Sequence, residues 1–203
     1  MTTLARALRA SLWIPLLLAA GSAQARGFQI APFAGYQFGG SVRSAEFGQQ
    51  YSFDDGLAWG GTASFALDKR WRVELLYSRQ ESGLSPPGAA GPSFDLTTER
   101  LMAGIQEEKG AGRTRYFGSF MLGATRFTPA LSGRGSETRF AASVGLGLKR
   151  FVSERFAVRF DARAFYTVVQ AGGGVFCSGG CLFVFSGSGI WQGDFSGGIV
   201  LAF

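Results

Sequence analysis

The sequence predicts an all-β fold, namely an eight-stranded antiparallel transmembrane β-barrel with up-and-down strand order. Eight segments alternate between apolar and small or polar residues, each close to the roughly 9–11 residues that a tilted strand needs to cross a bilayer. The connections between them alternate in length. After residue 25 there is no run of about 18 apolar residues, so a spanning chain must close its strands into a barrel.

Residues 1–25 have the pattern of a secretory signal peptide. Arg6 and Arg9 supply the positive region, a short apolar stretch follows, and Ala23-Gln24-Ala25 fits a cleavage site. The apolar stretch falls short of the roughly 20 residues of a membrane helix. Cleavage would leave residues 26–203 as one barrel domain and, by removing two arginines, lower the formal net charge from +6 to about +4.

The first three predicted strands are Phe28–Phe38, Leu57–Leu67 and Trp71–Gln80. In each of them every second residue is apolar or small, which predicts a face toward lipid, and the intervening residues are smaller or polar. The predicted outward residues are Phe28, Ile30, Pro32, Ala34, Tyr36 and Phe38, then Leu57, Trp59, Gly61, Ala63, Phe65 and Leu67, then Trp71, Val73, Leu75 and Tyr77.

The fourth predicted strand, Phe94–Gln106, is the least regular. Glu99 and Arg100 are adjacent, so either register turns one charged side chain toward lipid unless a bulge intervenes. We expect Glu99 to point inward.

The last four predicted strands are Tyr116–Phe127, Arg139–Phe151, Phe156–Val169 and a final segment from Trp191 to Phe203. Their alternate residues again form an aromatic and aliphatic face. Three short connections, at Asp68–Arg70, Glu107–Thr114 and Val152–Arg155, alternate with four longer ones, at Gly39–Gly56, Glu81–Ser93, Thr128–Thr138 and Gln170–Ile190. This alternation is typical of barrels whose turns lie on one side of a membrane and whose loops lie on the other.

Several segments resemble a known family. The stretches Pro32–Gly40 and Gly123–Phe127, the late Cys177, Cys181 and Gln192, and the aromatic end at Phe203 are similar to small outer-membrane β-barrel proteins of Gram-negative bacteria, related to the OmpA transmembrane domain and OmpX. The resemblance implies an outer-membrane location, lipid as surroundings, both termini in the periplasm and a monomeric barrel. It also implies that the barrel-assembly machinery recognises the last strand, here through Phe195, Ile199, Leu201 and Phe203.

Charged residues on the predicted inner faces indicate how the lumen is filled. Because an eight-stranded barrel is only wide enough for side chains, we expect opposite charges there to pair and plug it. The alternative is a narrow conduction path or a gated ion pair. The residues of this predicted network are Glu74, Glu99, Arg159, Asp161, Arg163 and Asp194.

Cys177 and Cys181 flank three small residues in the longest loop. In an exported chain this spacing predicts a disulfide across a hairpin tip. Metal binding or redox chemistry is the alternative, although the spacing differs from C-x-x-C.

The composition excludes most catalytic chemistry. The chain has no histidine, so a Ser-His-acid site cannot form and neutral-pH proton transfer lacks its usual group. The adjacent pairs Glu107-Glu108 and Asp54-Asp55 are expected to be solvated turn charges. We predict no catalytic residues, no metal site, no cofactor and no nucleic-acid partner.

The predicted function is therefore non-enzymatic. The chain is expected to serve the outer membrane structurally or to contact a surface partner through its outer loops, of which the last is unusually apolar. A small channel or transporter for ions or small molecules and an adhesin-like binding protein are the alternatives.

Overall fold

The structure is a computed structural model that describes residues 27–43, 50–85, 94–130, 135–168, 174–175, 183–184 and 189–203. The predicted signal peptide and both cysteines lie outside these residues. The described strands are β1 (Phe28–Phe38), β2 (Ser41–Arg43), β3 (Gln50–Phe53), β4 (Gly56–Ala66), β5 (Trp71–Ser85), β6 (Phe94–Lys109), β7 (Thr114–Pro129), β8 (Glu137–Phe151), β9 (Phe156–Val168), β10 (Gly174–Val175), β11 (Phe183–Val184) and β12 (Gly189–Ala202).

Eight long strands form a closed antiparallel barrel, which confirms the predicted fold. Around the barrel the order is β1, β4, β5, β6, β7, β8, β9 and β12, so each strand pairs with the next long strand in the chain. The seam joins β12 to β1, with Gln29 opposite Ala202 and Phe38 opposite Gly193. Closure leaves no unpaired barrel edge. The described part of the chain contains no helix that is long and apolar enough to cross a membrane.

The outer face of the barrel is apolar, as the alternation predicted. Leu57 is 76% exposed, and most of the other large apolar side chains on the outer face are at least 36% exposed. Aromatic side chains lie near both ends of the strands, which is the placement found at the two interfaces of a membrane. They are Phe28, Phe65, Trp71, Tyr116, Phe156 and Phe203 near the chain termini, and Tyr36, Trp59, Tyr77, Phe140, Tyr166 and Trp191 near the other end.

The register predicted for the fourth strand is wrong. Arg100 is buried in the lumen, at 1% exposure, whereas Glu99 lies on the outer face. There Glu99 accepts a hydrogen bond of 2.9 Å from the Tyr77 hydroxyl and lies 3.6 Å from an Arg79 nitrogen. The neighbouring strand β5 therefore supplies the polar partners that allow a carboxylate on the outside, close to the end of the barrel.

The two ends of the barrel differ. The turn end carries the termini and the short connections, and the loop end carries the longer ones. At the turn end Asp68 closes the first short turn, because its Oδ1 accepts hydrogen bonds from the backbone nitrogens of Arg70 and Trp71 at 2.6 and 2.7 Å. Gly110 and Gly112 have positive φ angles of 127° and 72°, which the second turn requires.

At the loop end the chain forms more sheet than we predicted. Strands β2 and β3 make a hairpin within the first long connection, and β3 continues the sheet by pairing with the upper part of β5. Tyr51 and Phe53 on β3 are buried at 2% and 5% exposure. This hairpin therefore contributes apolar side chains to the interior at the loop end.

Candidate functional site in the barrel lumen

The inner faces of the eight barrel strands fill the lumen with charged and polar side chains. From the turn end to the loop end these fall into three groups. We call them the turn-end cluster (Arg72, Glu108, Arg115, Lys149), the central ion cluster (Glu74, Arg159, Asp161, Arg163) and the Arg100 layer (Gln37, Ser78, Gln80, Thr98, Arg100, Gln192).

The central ion cluster joins opposite walls of the barrel. Glu74 on β5 is fully buried and receives both terminal nitrogens of Arg159 from β9, at 2.6 and 3.1 Å. Arg159 also contacts Asp161 on its own strand through two hydrogen bonds of 2.8 Å. Arg163 completes the group at 2.7 Å from Asp161 and 3.3 Å from Glu74. Two arginines and two carboxylates thus form a neutral network across the lumen.

The alternation on β9 explains this arrangement. Arg159, Asp161 and Arg163 are two residues apart, so all three point to the same face of the strand. The Arg159 guanidinium also lies 4.4 Å from the centre of the Phe117 ring. That ring fits inside the barrel because position 147 is glycine, where a Cβ atom would lie only 2.3 Å from Phe117. The network is therefore held by aromatic packing as well as by ion pairs.

The turn-end cluster was missed by sequence reasoning. Lys149 is fully buried and lies 2.5 Å from Glu108 Oε1, and Arg115 lies 3.3 Å from the other oxygen of Glu108. Arg72 donates to Ser64 Oγ and to the Gly27 carbonyl. The expectation that Glu108 is a solvated turn charge is wrong, because Glu108 continues the inward phase of β6. Its neighbour Glu107 points outward and pairs with Arg70.

The Arg100 layer lies nearer the loop end. Arg100 reaches across the lumen from β6, donating to Gln37 Oε1 at 2.8 Å and to Gln192 Oε1 at 2.5 Å. Its guanidinium lies 4.5 Å from the centre of the Phe165 ring. Asp194, one inward position below Gln192, accepts a hydrogen bond from Ser196 and makes no ion pair within 4 Å among the described residues.

Of the residues predicted for the lumen network, the structure thus brings Glu74, Arg159, Asp161 and Arg163 together. Asp194 lies inside the barrel but apart from this cluster, and Glu99 lies outside. The proposed insertion-signal residues Phe195, Ile199, Leu201 and Phe203 share the outer face of β12, and the Phe203 ring lies 6.2 Å from Phe28. Arg100 could have been predicted to point inward because it lies an even number of residues before Gln106 and Glu108 on β6, so that all three share one face of the strand.

The lumen offers charge pairing but no recognisable reaction centre. In the part of the chain that the structure describes, no three acidic or cysteine side chains are grouped so that they could hold a metal ion. A narrow interior filled with paired charges, inside a wall that is apolar outside, is the arrangement of a small outer-membrane barrel.

Comparison with known families agrees with this architecture. The family model described as outer membrane protein beta-barrel domain matches residues 14–203. The chain belongs to this family. Membership places the protein in the outer membrane, whereas no significant match is found among curated proteins.

Solved structures of outer-membrane barrels share the fold at low sequence identity. Neisserial surface protein A is 17% identical, with a TM-score of 0.62 over 87% of this chain and 97% of that one. The outer membrane protein AlkL, solved in lipid bilayers, is 13% identical, with a TM-score of 0.53 over 91% and 94%. The attachment invasion locus protein Ail of Yersinia pestis is 14% identical, with a TM-score of 0.46 over 87% and 99%. The likenesses to Neisserial surface protein A and to AlkL concern the fold alone.

Proposed function

We propose that this outer-membrane barrel is non-enzymatic and acts through its presence in the membrane and through its outer loops. Residues 1–25 direct export and are removed, and the barrel-assembly machinery recognises the last strand. The turn end then faces the periplasm and the loop end faces outward. The observation that carries the proposal is the filled lumen, which leaves the loop end as the surface open to a partner.

The central ion cluster argues against a steady pore. Four charged groups span the lumen with hydrogen bonds of 2.6–3.3 Å, and each is at most 7% exposed. An apolar cluster of Leu76, Met102, Met121, Ala141 and Phe165 packs beside it toward the loop end. An ion passing through would have to break buried ion pairs and cross an apolar layer, both of which are costly.

The composition argues against catalysis. The chain of 203 residues has no histidine, and the buried carboxylates of the central ion cluster are already bound to arginines. A carboxylate held in this way has no free oxygen directed at a substrate and no proton to donate at neutral pH.

Planar-bilayer recording tests the filled lumen. We expect the refolded full-length mature chain to insert without stable conductance. The variant Glu74→Ala removes the carboxylate that joins β5 to β9, and it should show transient openings that wild type lacks. Glu107→Ala, on the outer face, serves as the matched control and should stay closed. A stable open conductance in wild type would favour the alternative of a small channel.

Loop trimming tests the second half of the proposal. A strain lacking the protein should be complemented by the full chain, measured as resistance to detergent and to large antibiotics. A chain in which a Gly-Ser-Gly linker replaces residues 86–93 should still fold, shown by its different gel migration before and after boiling. Loss of complementation with a folded barrel would assign the function to the loop, whereas full complementation would assign it to the barrel alone. Complementation by neither chain would contradict a role in the envelope.

A further inference from the structure

The Arg100 layer contains an unusual number of buried polar atoms without a protein partner. Six atoms of this layer, each closed to solvent, make no hydrogen bond among the residues that the structure describes. Buried polar atoms in folded proteins nearly always have a partner, which is a protein group, a water molecule or an ion. The six atoms are Gln37 Nε2, Ser78 Oγ, Gln80 Oε1, Thr98 Oγ1, Arg100 Nε and Gln192 Nε2.

Most of these atoms are hydrogen-bond donors. The side-chain oxygens of Gln37 and Gln192 face the Arg100 guanidinium, so both amide nitrogens are turned away from it and are left to donate elsewhere. Arg100 Nε can only donate, and the hydroxyls of Thr98 and Ser78 can rotate to donate. Gln80 Oε1 alone must accept. A group that accepts several hydrogen bonds at once would match this set.

The charge of the layer also favours a bound group that accepts hydrogen bonds and is negatively charged. Arg100 is buried and forms no ion pair with a carboxylate among the described residues, since its hydrogen-bond partners are two neutral amides. The nearest inward acid along β12 is Asp194, which lies below Gln192 and bonds to Ser196. The other buried cations of the lumen each lie within 4 Å of a carboxylate; they are Arg72, Lys149, Arg159 and Arg163. A buried guanidinium without such a partner is costly.

Apolar residues close the layer on both sides. Toward the loop end a Cβ atom at Gly40 would lie 2.9 Å from Phe53, 3.1 Å from Gln192 and 3.3 Å from Ile190, which places these side chains around one point. The Phe53 ring also packs 5.9 Å from Phe127, which is opposite Thr98 in the β6–β7 pairing. Toward the turn end lie Leu76, Met102 and Phe165. The layer is therefore a polar compartment flanked by apolar side chains, with Asp194 as the nearest acid on its turn-end side.

We propose that this compartment binds one small monovalent anion, of the size of chloride or bromide, at the free Nε of Arg100. The hydroxyls of Thr98 and of Ser78, which is opposite Arg100 in the β5–β6 pairing, can also donate there. The anion supplies the missing counter-charge and accepts the unused donors. A larger or multivalent anion is excluded because the donor atoms are closed to solvent and because the compartment carries a single cation.

Anomalous scattering gives a direct test. Crystals of the full-length mature chain grown in sodium bromide should show a bromide peak within hydrogen-bond distance of Arg100 Nε. Crystals of Arg100→Gln grown in the same way should lack this peak. Density for water at this position in wild type, without anomalous signal, would contradict the proposal, as would bromide bound only elsewhere on the barrel.

Thermal unfolding tests the proposal in solution. At constant ionic strength, replacing gluconate by chloride should raise the midpoint of wild type by about 2–4 °C, the range expected when a ligand stabilises a chain of this size by a modest amount. Arg100→Gln should show no such shift. Arg79→Gln removes an arginine from the outer face at the same end and should keep the shift.

A second variant keeps the test valid if Arg100→Gln does not fold. Thr98→Val retains the cation and removes one donor, so the chloride concentration giving half of the shift should rise several-fold. An equal chloride response in wild type and in both variants would assign the effect to general salt action and would overturn the proposal.

Discussion

Glu74 is the residue on which the interior charge balance depends most. It accepts from Arg159 and from Arg163, and it is the only member of the central ion cluster on β5. Glu107 is a useful comparison, because it also pairs with an arginine but lies on the outer face near the turn end. The two glutamates separate the effect of a buried ion pair from that of an exposed one.

We predict that Glu74→Gln lowers the free energy of unfolding by about 3–5 kcal/mol, the usual effect of leaving a buried charge without its partner. Glu107→Gln should change stability little because water screens its ion pair. Urea unfolding of both variants in lipid vesicles provides the measurement. Equal losses of unfolding free energy in the two variants would show that the buried ion pair of Glu74 contributes no more to stability than the exposed pair of Glu107.

Asp68 gives a prediction for acid pH. Hydrogen bonds from the backbone of Trp71 and Arg70 hold the pKa of this exposed carboxyl below its usual value of 3.8. Because the folded-state pKa is lowered, the stabilisation by Asp68 is complete above the unfolded pKa and is lost as pH falls through the folded one.

NMR titration of the Asp68 carboxyl carbon should therefore show a midpoint below that of an unstructured aspartate. Asp68→Asn keeps an acceptor oxygen and should retain the turn, whereas Asp68→Ala should loosen it at neutral pH, seen as faster amide exchange at Arg70 and Trp71. A midpoint at or above the ordinary value would contradict the hydrogen-bonded turn.

At the scale of the strands, the sequence was sufficient to predict which residues face lipid wherever one face of the strand is clearly apolar. The residues that Phe28–Phe38 and Trp71–Gln80 were predicted to turn outward do lie on the outer face, because lipid on one side and a narrow lumen on the other require a period of two. The sequence was insufficient to predict the inward residues of β6, because Glu99 and Arg100 are adjacent charged residues. There the register depends on Tyr77 and Arg79 of the neighbouring strand, and such cross-strand partners are not visible in a local pattern.

Glycines on the strands provide a matched pair of predictions. A Cβ atom at Gly147 would lie 2.3 Å from the Phe117 ring and 2.4 Å from the Phe160 carbonyl oxygen. We predict that Gly147→Ala destabilises the barrel by about 1–3 kcal/mol through overpacking. At Gly118 the nearest atoms would be 3.8 and 3.9 Å away, so Gly118→Ala should be tolerated. Urea unfolding of both variants distinguishes them, and equal effects would contradict the role of Gly147 in making room for Phe117.

At the scale of the whole molecule, the sequence predicted the closed barrel and part of the lumen network. Arg159, Asp161 and Arg163 were identifiable because they alternate on one strand, and their partner Glu74 because it shares the inward phase of its own strand. The Arg100 layer was not identifiable, since neutral residues such as Gln37 and Gln192 occur equally well outside a lumen. Only the closure of the barrel brings these side chains to the same height in the lumen.

The last strand carries a prediction about assembly. Phe203 is 57% exposed on the outer face and donates its backbone nitrogen to the Phe28 carbonyl at 2.9 Å. If the barrel-assembly machinery recognises this end, Phe203→Ser should reduce the amount of protein in the outer membrane several-fold. Phe156→Ser, which alters another exposed aromatic near the same end, should have a smaller effect. Quantification of both variants in membrane fractions gives the answer, and equal reductions would indicate a general loss of lipid contact.

The seam between β1 and β12 has a consequence for how the chain reaches its destination. Gln29, among the first described residues, is opposite Ala202 in the pairing of β1 with β12, so the ring cannot close until β12 has been synthesised. Any shorter piece would expose two open sheet edges to water. A premature stop anywhere before β12 would therefore yield an unclosed product prone to aggregation.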